Sequence, residues 1–139
     1  MYILDSDTLT YLHAGHHRVI ERLRSVDDPA VVTTVINKIE LLHGHFDFVL
    51  KAETGADLIR AQQLLTRTDE LLAQLLVLPF DDLAVTHFDR LRLQSSLRKI
   101  GRADLLIASI TLARRATLVT RNQRHFRQIP GLQVENWVD

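Results

Sequence analysis

Residues 1–9 read MYILDSDTL, and this stretch decides the fold class. Tyr2-Ile3-Leu4 is a short apolar run closed by Asp5, the pattern of a buried strand whose carboxyl end meets an acid. Val31 to Thr34 is β-branched throughout and follows Asp27-Asp28-Pro29, so it reads as a second strand. Leu76-Val77-Leu78 before Pro79 reads as a third, Thr117-Leu118-Val119-Thr120 as a fourth, and Leu132 to Trp137 as an edge strand. Helical spacing fills the intervals. Thr8 to Leu12 and His16 to Ser25 flank a break at Gly15, and Val35 to Phe48 carries apolar residues at 35, 36, 39, 42 and 46. A further helix runs from about Glu53 to Leu75 with Leu58, Leu65 and Leu72 inward. Asp81 to Arg98 is helical with Asp81 or Asp82 as N-cap, Ala103 to Arg115 follows Gly101, and Asn122 opens a short turn. Short apolar strands alternating with helices predict an α/β fold of three layers, with helices on both faces of a central, mainly parallel sheet of four to five strands. In such sheets the site lies beyond the carboxyl ends of the strands, where Asp5, Thr34 and Thr120 stand.

A chain of 139 residues fits one domain, 1–139, large enough to bury a core without staples. With 46% hydrophobic and 24% charged residues the composition is that of an ordinary globular protein rather than a disordered one. The absence of cysteine excludes disulfides and thiolate-ligated zinc and points to a reducing cytoplasm. MYILDSD lacks the basic start and long apolar core of a signal peptide. No stretch approaches the ~18 apolar residues of a membrane helix.

The formal net charge of zero hides an asymmetry. Arg90 to Arg127 carries ten cations and one acid, Asp104, so 10 − 1 = +9 over 38 positions. Nine of the ten are arginine, the side chain suited to bidentate phosphate contact, and a polyanionic partner is one explanation. Balance in space by acids from elsewhere is the other. The candidates for RNA contact are Arg98, Lys99, Arg102, Arg121 and Arg124.

Three acids attract attention. Asp5 ends the first strand; its alternative role is a helix cap, which Asp7, just before the helix starting at Thr8, fits better. Glu40 falls at the edge of an apolar helical stripe beside Ile36 and His43, either half-buried with a partner or a simple boundary residue. Asp104 lies in the first turn after Gly101, where an acid is favourable by about 0.3–1 kcal/mol in any helix, yet Leu105, Leu106 and Ile107 turn that helix end inward. Carboxylates converging in one crevice repel until a hard divalent cation neutralises them. Magnesium favours such oxygen ligands and can activate water for phosphodiester hydrolysis. Asn122 offers an amide oxygen to a water or metal but also serves as a helix cap, and Thr120 offers a hydroxyl to a phosphate or carboxylate. His125 offers a base or a nucleic-acid contact, but reads first as a surface histidine. The remaining histidines show no zinc-site spacing, and His43 and His45 do not share a helix face.

Four segments together resemble the PIN-domain family, and within it the VapC-type toxins of bacterial toxin–antitoxin pairs, over nearly the whole chain. MYILDSDTLTYL resembles the opening strand with the first acid, VTTVINKIELLHG the segment with the second, and GRADLLIASITLA the helix with the third. ATLVTRNQRHFRQIPGLQVENW resembles the closing stretch and is the most specific of the four. The resemblance implies that Asp5, Glu40 and Asp104 are metal-site carboxylates. It places the fourth acidic position at Asn122, an asparagine that VapC-like toxins often carry, and the usual asparagine after the first acid at Asp7. It further implies a PIN-like three-layer fold, an endoribonuclease dependent on Mg2+ (Mn2+ substituting) acting on structured RNA such as tRNA or rRNA, a homodimer, and a VapB-type antitoxin that blocks the acidic groove.

Two other readings compete. DSDTL resembles the opening of haloacid dehalogenase-type phosphatases, with Asp5 as nucleophile and Asp7 as acid, though its Thr-Leu comes one position early and Lys99 lacks context. A PIN-like module that binds RNA or protein without cutting is favoured only by the neutral Asn122.

Overall fold

A computed structural model describes residues 1–28 and 30–139; Pro29, which the sequence reading puts in the turn before the second strand, lies outside the described residues. In chain order the elements are β1 (Tyr2–Leu4), α1 (Ser6–His13), α2 (His17–Ser25), β2 (Val31–Thr34), α3 (Val35–Leu50), α4 (Gly55–Ala73), β3 (Val77–Leu78), α5 (Asp82–Leu91), α6 (Arg102–Ala113), β4 (Thr117–Val119), α7 (Gln123–Phe126) and β5 (Gln133–Glu135). Every pairing is parallel and the strand order is β3-β2-β1-β4-β5.

Two packed faces explain why the strands are apolar throughout. Alternation sends successive side chains to opposite sides. Ile3 and Leu118 join a core with Leu91, Ile107 and Ile110 from α5 and α6, while Leu4 and Val119 join Leu9, Val19, Leu72 and Trp137 on the other face. The expected α/β/α arrangement with a parallel sheet of five strands is therefore what the chain adopts.

The strand order also fixes where a site can form. From β1 the chain moves outward through β2 to β3, then returns to the other side of β1 to lay down β4 and β5. The order reverses between β1 and β4, and a crevice opens beyond their carboxyl ends. The register Leu4↔Val119 carries on to set Asp5 beside Thr120, and the Asp5 amide donates to the Val119 carbonyl at 2.9 Å.

Several boundaries differ from the sequence reading. α1 begins at Ser6 rather than Thr8, so Asp5 is the N-cap, accepting from the Ser6 amide, and Asp7 lies inside the first turn. Gly15 ends α1 as expected, at φ +78°, with the His16 and Gly15 amides closing onto Tyr11 and Leu12. The helix expected over 81–98 stops at Leu91 and is followed by a tight 3-10 turn at Ser95–Leu97. A straight helix advances about 100° per residue and would swing Leu97 roughly 120° away from Leu91. The break lets Leu91, Leu97 and Ile100 all bury. On α4 the inward residues are Ala61, Thr68 and Leu72, whereas Leu58 is exposed, because the first turns of that helix project beyond the core.

Candidate active site

The crevice between β1 and β4 is floored by Asp5. The residue is 8% exposed and both carboxylate oxygens are held: Oδ1 accepts from the Ser6 amide at 2.9 Å and from Asn37 Nδ2 at 2.7 Å, and Oδ2 accepts from Thr120 Oγ1 at 2.7 Å. Thr120 is itself fixed, since its hydroxyl oxygen accepts from the Asn122 amide at 3.0 Å. Burial raises the Asp5 pKa. The Thr120 and Ser6 hydrogen bonds oppose that shift, the Asp104 charge adds to it, and the Asn37 bond opposes it.

Asn37 links this floor to α3. It is fully buried at the third position of the helix, and Thr34, the N-cap, accepts from its amide at 3.2 Å and donates to its Oδ1 at 2.6 Å. Its Nδ2 serves both Asp5 and, at 3.1 Å, Ser6 Oγ. Ser6 Oγ in turn donates to Glu40 Oε1 at 3.0 Å. Glu40 is exposed over the whole residue, yet burial of its carboxyl is the first cause of its raised pKa. The Ser6 bond opposes the shift, and the charges of Asp5, Asp104 and Asp7 add to it.

Asp104 comes from the first turn of α6, where Gly101 supplies no side-chain cap. Its Oδ2 lies 3.0 Å from His125 Nδ1, which also lies 3.2 Å from Asn122 Nδ2. Asn122 occupies the N-cap position of α7 without making a side-chain cap bond, so the cap does not account for it; its amide faces the imidazole.

The PIN domain profile matches residues 2–132. The chain belongs to the PIN-domain family. Ribonuclease VapC2 of Rickettsia felis is 30% identical over 143 residues, covering 99% of this chain and 98% of that one. The tRNA(fMet)-specific endonuclease VapC of Salmonella typhimurium is 24% identical, covering 98% and 97%. Among solved structures, VapBC2 from Rickettsia felis bound to a DNA fragment from their promoter superposes with a TM-score of 0.80 at 29% identity, covering 98% of each chain.

In this PIN domain the acids of the sequence reading do converge. The charges of Asp5, Glu40 and Asp104 act on one another, and Asp7 adds its own from an exposed position on α1. Among the described residues no lysine or arginine forms an ion pair with any of the four; His125 pairs with Asp104, and Arg121 feels the charge of Asp7 from farther off. Nor, among them, do three His, Asp or Glu side chains close into a ready-made metal cage. An all-oxygen set with uncompensated charge and an open shape fits a hard cation held by one or two carboxylates and water better than a closed cage does.

The basic stretch is partly balanced in space. Arg114 pairs with Asp81 at 3.0 Å, Arg92 with Asp89 at 3.4 Å, and Arg121 with Asp139 at 3.2 Å. Arg121 also donates to Tyr11 Oη at 2.8 Å, so of the five arginine and lysine candidates it is the one held by an ion pair among the described residues. Arg102 lies over the Phe88 ring at 5.5 Å, while Arg98, Lys99 and Arg124 are exposed with no ion pair among the described residues.

Three residues near the acids escape the sequence reading. Asn37 and Ser6 carried no mark there, and His125 reads as a surface residue but is half-buried against Asp104. Signals existed for two of them. Thr34 and Asn37 stand at N-cap and third helical position, the spacing of a capping box, and Asn122 and His125 stand three apart on one helical face.

Proposed function

We propose that this PIN domain, acting as one unit over 1–139, is the toxin ribonuclease of a VapBC-type pair, hydrolysing phosphodiester bonds of structured RNA with Mg2+, for which Mn2+ substitutes. The observation that carries the reading is the buried Asp5 carboxylate at the sheet's reversal point, raised in pKa by burial and by Asp104 and left without a cationic side chain. Supporting it, the relatives are ribonucleases, and one acts on tRNA(fMet). A neighbour at 29% identity is a chain of a VapBC2 complex. We extend from these a VapB-type antitoxin that covers the acidic groove, a homodimer, and a cytoplasmic setting. Among the described residues no helix is long and apolar enough to cross a membrane.

Asp5 and Asp104 would hold the ion directly, with Glu40 joining them through water. Once bound it supplies charge neutralisation and a water acidic enough to attack phosphorus. The chain's own residues do the rest. Thr120, Asn37 and the Ser6 amide aim Asp5 and favour its ionised form against burial. Ser6 aims Glu40. Asp7 adds negative charge at the rim. Arg98, Lys99, Arg102 and Arg124 are the cations left to hold flanking phosphates, whereas Arg121 serves the fold.

The test is cleavage of tRNA and total RNA by the purified chain. Cutting is expected with Mg2+ or Mn2+, and is expected to stop on chelation and in Asp5→Asn and Asp104→Asn. A folded variant that cuts at the unaltered rate would remove that residue from the centre.

A further inference from the structure

We infer that His125 is the positioning residue for Asp104. The inference deepens the ribonuclease reading and rests on it for what Asp104 does; what His125 does rests on geometry.

The four acids are not held alike. Asp5 receives three hydrogen bonds and Glu40 one from Ser6. Asp104 receives a single one, from His125 Nδ1 at 3.0 Å, among the described residues. Its side chain is 26% exposed and that of His125 is 35% exposed, so without this bond the carboxylate is open to solvent and turns among its rotamers. The imidazole, by contrast, arrives from a fixed place. Phe126 and Ile129 are buried beside it and pin α7 to the core, and the Asn122 amide leading into α7 is bonded to Thr120.

The tautomer follows from competition. His125 Nδ1 faces both Asp104 Oδ2 and Asn122 Nδ2. A single nitrogen cannot offer a proton to one and a lone pair to the other. The charged acceptor makes the stronger bond, so Nδ1 carries the proton and donates to Asp104. One Asp104 oxygen is thereby occupied and the other carries no hydrogen bond among the described residues. The position where an acid is expected holds an asparagine whose Nδ2, itself a donor, finds no acceptor on that nitrogen, so the orientation of Asp104 falls to His125.

The full-length chain tests this by titration with Mn2+ alone, followed calorimetrically, and by kcat and KM on RNA. His125→Ala is expected to weaken Mn2+ binding about tenfold or more, the usual size of losing a partner that orients a ligand. It should lower kcat and leave KM within about twofold, a split expected when positioning rather than substrate binding is lost. His125→Asn, whose amide nitrogen can reach the place of Nδ1, should recover most of both. In an Asp104→Ala background the His125→Ala change should cost nothing further. Equal Mn2+ affinity in wild type and His125→Ala overturns the inference. So does an asparagine variant as weak as the alanine one, or additive losses in the double variant. If His125→Ala does not fold, the asparagine variant and the double variant decide by the same criteria. A wild type that binds Mn2+ but cuts no RNA defeats the ribonuclease reading and leaves the affinity comparison to judge His125. A wild type that takes up no Mn2+ overturns both.

Discussion

The acidic centre has two unlike halves. On the β1–β4 side, Asp5 is buried at the end of a central strand and tied by three hydrogen bonds to three separate elements. On the α6–α7 side, Asp104 is part-exposed on a helix start and tied by one. The first half is built by the sheet, and its order is the order of the core. The second half is built by two helix ends. A carboxylate that must stay charged in a dry place needs many donors, whereas one at the wet rim needs only direction.

The largest expected break comes from Asp5. Asp5→Asn should reduce RNA cleavage by on the order of 10²–10³-fold, as for loss of a central charge-stabilising group. The same change should raise the melting temperature of the metal-free chain by a few degrees, because it removes a buried charge that its neighbours repel. A melting temperature that falls would show that the three donors outweigh burial. Next comes the support beneath it. Asn37→Ala takes one donor from Asp5 and leaves the Thr34 hydroxyl proton without its acceptor, so urea unfolding should show a loss of about 1–3 kcal/mol, with kcat lower by roughly 10–100-fold.

A pH experiment sharpens the contrast further. Asp5 and Glu40 both titrate above the ordinary carboxylate range in the folded chain. Between the ordinary and the raised values the folded chain holds more protons than the unfolded one. Metal-free stability from these groups therefore falls as pH rises through that window and stays lower above it. The melting-temperature gap between Asp5→Asn and wild type should be largest near neutrality and shrink as the pH falls to about 4. A gap independent of pH would place the effect outside ionisation. The smallest effect belongs to the cationic rim. Arg124→Gln should lower the salt slope of RNA binding by a little under 1, the share of one phosphate contact. Arg121→Gln should leave that slope unchanged, since Arg121 is occupied by Asp139 and Tyr11.

The sheet was legible because its strands are short, apolar on both faces and closed by Asp5, Thr34 and Thr120, so composition and ends agree. The three acids were legible as candidates because each sits where an element begins, ends or changes face. The end of α5 was hidden: no glycine or proline marks Leu91, and only the need to bury Leu97 and Ile100 stops the helix there. His125 was hidden for a different reason. Its partner Asp104 is 21 residues away, and nothing local to RNQRHF announces which of its polar side chains turns inward. Asn37 was masked by its surroundings, a lone amide in an apolar helix whose value lies in Asp5, 32 residues earlier.

The central place of β4 bears on the order in which the site comes together during synthesis. β4 is made long after β1, its neighbour in the sheet, and Asp104, Thr120 and Asn122 come shortly before and after it. A nascent chain that ends before residue 117 has no strand to pair with that edge of β1 and no hydroxyl for Asp5. The acidic centre is thus assembled late, from parts that leave the ribosome far apart.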